Sequence, residues 1–485
     1  MIKKINIKSR DICFFYFILV LFVSLFTYFN YNINNPSELT IFLYSWIVNI
    51  VFFISMLSIY YLESKNISII MLILLFAFLF NFGQSFFWAF GIHRSNELGS
   101  IPLFSNYPIP TNTELCNAML YSLCCYVYLV LGIILTLISS KNNAIFKESP
   151  PRNYIYKFSK LVGFYVIPAT FVKIFIILFQ SIVHGYGSLY YSEFHVPALI
   201  GNAENFFFPV IVGLLVGKKF ENRKQIYGIF LLYLVLYLLA GERGNWIYKI
   251  VALLWLHYYH YRKIEFKNIL ILVLSGFIFL YFVGVIVEIR AVGLANINLN
   301  ILLKAFSLSS NPFIRFIFEM GNSLGVTIIT LSLGLSYFPV DNTFLSSILA
   351  SPSSKIASLF NVQPIFLGNY LSQEILKINY GTGFNFFSEI YINGGYIGTF
   401  LYCIIFGLII GLIFKNSCSI NYKDKPLRLV VITTLSIIFF AMFRDSSLTP
   451  FKLIMQTGLL YPLVVVFSYK IYENGYLKKF FNNIT

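Results

Sequence analysis

Charge is what this 485-residue chain has least of. Asp, Glu, Lys and Arg make up 11% of it, less than half of the ~25% usual for a soluble globular domain. That shortage excludes a soluble enzyme, which could not cover a surface of this size. Histidine and cysteine are also sparse, at five and six residues. The cysteines (Cys13, Cys116, Cys124, Cys125, Cys403 and Cys418) lie mostly inside apolar runs and form no C-x-x-C pair. This argues against a disulfide framework. His257 and His260 share a helix face, but no Cys or carboxylate completes a metal set there, and a metal site needs more partners than two. We therefore expect no metal and no cofactor. The first apolar run lacks a small-residue cleavage site, so it reads as a retained helix rather than a removed signal.

What is abundant is apolar sequence. Hydrophobic residues make up 58% of the chain, and the mean hydropathy is +0.77. Runs of about 20 apolar residues recur along the whole length, the span that a ~30 Å hydrocarbon core requires. The fold class expected is an all-α polytopic membrane protein, with residues 1–485 as a single integral membrane domain. Twelve spans are read, at about 12–31, 41–62, 68–90, 116–139, 158–180, 205–217, 225–240, 246–261, 268–287, 395–414, 427–443 and 452–469.

The basic residues set the orientation. With both termini cytoplasmic, 24 of the 35 Lys/Arg fall in cytoplasmic segments and 7 of the 19 acids do. The net charge of +16 then divides into about +17 inside and −1 outside. This is the positive-inside pattern of short loops. The basic excess is a topology signal and an anchor on the inner leaflet, so no nucleic-acid partner is expected.

That orientation gives addresses to the outer residues. The stretch "YLLAGERGNWIYK", Tyr237 to Lys249, places Glu242 and Arg243 between Gly241 and Gly244, at a tight turn on the outer face. A long outer segment runs from about 288 to 394. A structureless loop of ~100 residues would be unusual. Its apolar stretches, such as "LGVTIITLSLGLSYF", read as interfacial or re-entrant helices. Arg243, Arg290, Arg315 and Arg444 all fall on this side, with Glu242, Glu288, Glu319, Glu389 and Asp445. Ionisable groups at a membrane edge are costly and face protein-lined cavities. Arginine is the residue for multidentate contact with phosphate. Taken singly, each also fits a plain structural role: Glu242–Arg243 as a charged turn, Glu389 as an interfacial residue, Arg444–Asp445 as a local ion pair, and Lys173 and Lys249 as snorkelling side chains. Their shared placement on one side points to a site for an anionic lipid.

At these residues the chain resembles a family. "LLAGERGN" is similar to the Gly-x-Arg-Gly turn between adjacent helices of Wzy-type O-antigen and oligosaccharide repeat-unit polymerases. "GTGFNFFSEIYINGGYIGTFLYCIIFGLIIG" resembles their late segment opening the helix after the long outer loop, with Gly394–Gly395 where Phe-Gly is more usual. "FRDSS" resembles the outer turn with an arginine that follows. Residue-level matches cover mainly positions 237–249, 288–290 and 381–450, and the likeness in architecture covers the whole chain.

The resemblance implies a GT-C-like plan, and a polymerase at the outer face of a bacterial inner membrane. The growing glycan would pass from its undecaprenyl diphosphate to the next lipid-linked repeat unit. The chemistry of the residues agrees. Arg243, Arg290, Arg444 and Arg315 are the expected diphosphate ligands, stabilising the charge of the departing group. Glu389 or Glu242 is the expected proton acceptor for the attacking hydroxyl, with Arg243 beside it. Expected partners are the undecaprenyl-diphosphate-linked oligosaccharide, membrane lipid and a chain-length regulator protein. Three alternatives share the outline: an O-antigen ligase, another polyprenyl-linked membrane glycosyltransferase, and a repeat-unit flippase. A flippase would more naturally show two related halves, and a polyprenyl-phosphate sugar transferase often has paired acids in its first outer loop, where this chain has Glu38 alone.

Overall fold

The computed structural model describes residues 9–139, 150–184, 196–240, 245–263, 312–339, 342–420 and 423–474, with isolated positions between 274 and 303. The described residues are nearly all helical and contain no β-strand. In chain order the helices are α1 (Ser9–Asn30), α2 (Glu38–Leu62), α3 (Ile69–Trp88), α4 (Asn112–Ile138), α5 (Arg152–His184), α6 (Ala198–Ala203), α7 (Phe207–Gly217), α8 (Arg223–Leu239) and α9 (Asn245–His260). After a gap come α10 (Pro312–Gly321), α11 (Ser323–Leu333), α12 (Thr343–Ala350), α13 (Ser354–Leu359), α14 (Phe386–Phe414), α15 (Pro426–Met442), α16 (Leu448–Leu453) and α17 (Tyr461–Glu473).

Nine helical stretches among the described residues are long and apolar enough to cross a membrane. Eight of them overlie spans read from the sequence. The ninth, Phe313–Leu333, falls inside the segment read as outer. The spans read at 225–240, 246–261 and 427–443 are α8, α9 and α15, helices of 17, 16 and 17 residues. At 1.5 Å per residue they reach about 25 Å, at the short end of what a crossing needs. The span read at 268–287 lies largely outside the described residues.

Helix starts follow local chemistry. Glu114 Oε2 accepts the Thr111 N–H at 2.8 Å, and Thr111 Oγ1 accepts the Glu114 N–H at 3.2 Å. This reciprocal cap starts α4 four residues before the apolar run read at 116. Ser37 caps α2 in the simpler way, its side chain accepting from Thr40.

The chain folds into two compact units. The first comprises Met1–Asn143, Ile317–Cys418 and Met442–Lys452. At its centre α4 and the long part of α14 pack with their backbones touching. A Cβ built on Gly407 would lie 3.0 Å from Gly132 Cα, and one on Gly411 would lie 2.8 Å from Thr136 Cβ. Small residues at such a contact are how helices associate in lipid, where no hydrophobic force draws them together. The second unit comprises Ala144–Phe316, Ser419–Ala441 and Leu453–Thr485. There α5 and α7 run antiparallel. A Cβ on Gly163 would meet Val210 at 3.0 Å, and one on Gly217 would meet Tyr156 at 2.7 Å.

One helix is not what its length implies. α14 breaks at Gly395, whose φ of 55° and ψ of −153° are not helical. The Tyr121 hydroxyl is 3.0 Å from both the Phe387 carbonyl and Thr399 Oγ1. In a straight helix those two residues would be about 18 Å apart. The Phe386 and Phe406 rings, about 30 Å apart in a straight helix, have centroids 4.6 Å apart. So the chain reverses at Gly395, and residues 386–394 form a short helix folded back along 396–414. The sequence reading began a span at 395, which is where the long arm begins.

Candidate functional site

The short arm of α14 carries the most enclosed carboxylate of the first unit. Asn385 caps the arm, accepting the Phe387 N–H at 2.8 Å, while its amide donates to Asn81 Oδ1 at 2.9 Å and the Ser323 carbonyl at 3.0 Å. This fixes the arm against α3 and α11. One turn on, Glu389 is 1% exposed. Its Oε1 accepts the Thr343 hydroxyl at 2.8 Å and the Ser447 hydroxyl at 2.6 Å, and its Oε2 accepts the Ser447 N–H at 2.6 Å. A carboxylate can be buried when its lone pairs are filled in this way. Four residues along, Asn393 takes the Thr343 N–H at 2.7 Å and donates to Thr343 Oγ1 at 2.8 Å. Glu389 and Asn393 therefore tie one arm to two helix starts, those of α12 and α16.

What they hold is a turn. Phe443 is buried against the rings of Phe386 and Phe387. Ser447 is buried on Glu389, with Ser347 Oγ 2.9 Å from its hydroxyl. Between these two anchors Arg444 is exposed, and among the described residues no hydrogen bond engages its guanidinium. Asp445 beside it is half-buried. Burial raises its pKa to about 6, opposed by the Ser446 N–H, the Thr449 hydroxyl and the charge of Arg444. The turn thus presents a guanidinium and a carboxyl that titrates near neutrality.

Of the residues singled out in the sequence, the structure links Glu389 and Arg444 through this turn. Arg315 is half-buried on α10 and falls in the second unit. Glu242, Arg243 and Arg290 lie outside the described residues, as do Gly241, Gly244 and Glu288.

The second unit holds a cluster that the sequence reading missed. Lys173 of α5 and Lys249 of α9 do not snorkel; they converge on Glu204, just after α6. Lys173 Nζ is 2.6 Å from Glu204 Oε2, and Lys249 Nζ is 3.9 Å from Oε1. Lys249 is 8% exposed, donates to the Tyr233 hydroxyl and sits 4.7 Å from that ring's centroid. The sequence signal was a charged residue in each of three apolar stretches, but nothing in their spacing pairs them. Among the described residues no three His, Cys, Asp or Glu side chains converge as metal ligands.

Two points of architecture now stand together. The chain is a multi-pass helical protein, and a turn bearing Arg444 is pinned by the buried Glu389. Comparison with curated proteins and with solved structures finds no match. The family model of the O-antigen polysaccharide polymerase Wzy matches residues 12–474, nearly the whole chain. The pinned "FRDSS" turn and the "SEIYING" arm lie inside that match, and the chain belongs to the O-antigen polysaccharide polymerase Wzy family.

Proposed function

We propose that this polymerase is a membrane glycosyltransferase of the bacterial inner membrane, working at the outer face with both termini cytoplasmic. It carries twelve spans in a GT-C-like plan, and the 288–394 segment contributes re-entrant or interfacial helices. In the reaction the anomeric carbon of the growing glycan loses its bond to undecaprenyl diphosphate. A sugar hydroxyl of the next lipid-linked repeat unit forms the new bond and gives up its proton. Undecaprenyl diphosphate leaves with the electron pair. A chain-length regulator is the expected protein partner.

The observation that carries this reading is the pinned turn. Arg444 is exposed at a fixed place, and a planar guanidinium suits a diphosphate whose charge grows as it departs. Arg243, Arg290 and Arg315, with Glu242, are the further candidates that residue type alone offers for the diphosphate and the proton. Glu389 works through Arg444 as a positioning residue, because three donors fill its carboxylate and solvent does not reach it. The proton acceptor is then Asp445, the carboxyl on the same turn that solvent does reach. Its pKa of about 6 is near that of an effective general base at neutral pH.

The test is deletion, followed by gel analysis of surface glycans and complementation. Loss of the polymerase leaves lipid A–core bearing one repeat unit, and wild-type but not Arg444→Ala protein restores the ladder. Loss of a ligase or flippase leaves no repeat unit on the core, which would overturn the assignment.

A further inference from the structure

Just before the arm that carries Glu389, the chain passes the Arg444 turn as a short loop, Gly381–Thr382–Gly383. A Cβ built on Gly383 would lie 3.6 Å from the Arg444 carbonyl, so the loop lies directly against the turn. Gly383 is left-handed, with φ of 69°, a conformation that glycine adopts without steric cost. The loop also packs on Gly368, where a Cβ would come within 3.0 Å of the Gly383 carbonyl. Thr382 Oγ1 lies 3.2 Å from the Gly368 carbonyl and 2.9 Å from that of Gly383, and its one proton ties the loop down. Gly368 leads into the π-helical stretch Tyr370–Ile375, a distortion that recurs at functional sites.

The donors of this loop are left open. Gly381 and Gly383 are exposed, and the exposed surface of a glycine is main chain. Among the described residues no acceptor engages the N–H of Gly381, Thr382, Gly383 or Phe384. Phe384 is 1% exposed, and a buried N–H without an acceptor is rare and costly. The Gly383 carbonyl, by contrast, already has the Thr382 hydroxyl beside it. The loop therefore offers donors rather than acceptors. A left-handed residue among ordinary ones lets successive N–H groups face one side, and such concavities bind anions. The exposed Arg444 guanidinium adds positive charge at the same place.

We propose that the main-chain N–H groups of Gly381 to Phe384 are the second half of the diphosphate site whose first half is Arg444, and that they hold the lipid diphosphate by its phosphate oxygens. This rests on the polymerase reading and deepens it. The two halves divide the work. The N–H groups are fixed by the fold and hold the phosphate oxygens throughout the reaction. Arg444 answers the charge that develops as the diphosphate departs.

Amide signals of the purified full-length protein test this. The chain has two Thr-Gly pairs, Thr382–Gly383 and Thr457–Gly458. Isotope labelling of threonine carbonyls and glycine nitrogens therefore selects two amides, and Thr457→Ser removes the second and so identifies both. Farnesyl diphosphate should move the Gly383 signal downfield and leave that of Gly458 in place. Farnesol should move neither, and inorganic diphosphate should bind about tenfold weaker or more, with native mass spectrometry reading affinity on the same samples. Gly383→Asn tolerates the left-handed backbone, but its side chain stands between loop and turn. It should keep the unfolding midpoint, bind farnesyl diphosphate about tenfold weaker and give shortened glycan chains. A glycine needed only for its conformation predicts wild-type binding and wild-type chains in Gly383→Asn, and that result overturns the proposal. Equal movement of both amide signals also overturns it. A Gly383 signal that stays still while wild type binds the ligand, with binding weakened in Arg444→Ala, sinks this inference and leaves the Arg444 reading standing. A moving Gly383 signal with unchanged affinity in Arg444→Ala supports the loop and sinks the role of Arg444. Inorganic diphosphate binding as tightly as farnesyl diphosphate would make this a free-phosphate site and overturn the lipid assignment. A wild type that binds no farnesyl diphosphate removes the diphosphate role of both halves.

Discussion

An exposed guanidinium is useful only if something holds it still, and at Arg444 the holding is done by its neighbours. Arg444→Ala should cut polymerisation by about 100-fold or more, the usual cost of losing a donor to a developing negative charge. Arg444→Lys should recover part of it, because a point charge replaces a planar fork. Chain-length gels at matched protein levels read both, and full activity of Arg444→Ala would sink the assignment. Asp445 gives two opposite pH trends. As a base it must be ionised, so polymerisation should fall as pH drops through about 6, and Asp445→Asn should be inactive at every pH. Its folded pKa lies above the ordinary carboxyl value, so its contribution to stability is full below about 4 and is lost as pH rises through about 6. Arg444 and Glu389 are the charged groups facing it. Thermal unfolding in detergent from pH 4 to 7 should show that slope in the wild type and lose it in Asp445→Asn. At this scale the sequence singled out Arg444 and Glu389 by residue type. It did not reveal that Glu389 serves the turn, since Thr343 and Ser447, its partners, are 46 and 58 residues away.

Among the elements, the reversal in α14 matters most. Asn393–Gly394–Gly395 is a turn signal in the sequence, but it marks only a break and does not show that the chain doubles back. Only glycine adopts the φ and ψ of Gly395 without strain. A Cβ at 395 would have room, meeting only Leu335 at 3.8 Å, so the penalty of Gly395→Ala is conformational. It should be about 1–3 kcal/mol, seen as a lower unfolding midpoint together with shortened chains, because the arm carries Glu389. Gly228→Ala, inside α8 with nothing within 4 Å of the added Cβ, should leave chain length unchanged and should not lower the midpoint. Equal behaviour of the two variants would mean that residues 386–394 do not depend on the reversal. The start of α4 is the contrary case, legible in principle. The Thr111–Glu114 box is a four-residue signature, and hydropathy alone placed the start too late.

At the scale of the whole molecule the topology is open to direct test. Reporter fusions at Lys147, Arg223 and Lys263 should read cytoplasmic, and fusions at Asn106, Tyr191 and Ser353 periplasmic. The division of 24 against 11 basic residues motivates this, and opposite readings at two or more sites would overturn the twelve-span arrangement. The stretch Phe313–Leu333 bears on it. It is apolar enough to cross, and it packs against one end of α3, the connection to α4, α4 itself and the short arm of α14. Phe318 stacks on Phe87, Gln84 donates to Asn322 Oδ1, and Gly325 lies against Leu98 and Leu103.

The sequence by itself determined the membrane class, most of the spans and the family. Those properties rest on sums over many residues, such as apolar length and charge bias, or on short local motifs, and both survive without knowledge of contacts. The tertiary structure alone decided which charges meet. Glu389 with Ser447, and Lys173 and Lys249 with Glu204, are joined across 31 to 58 residues of chain by helices whose packing is set by small residues such as Gly132, Gly213 and Gly407. A buried charge must find its partner in space, and no periodicity along the chain records where that partner lies.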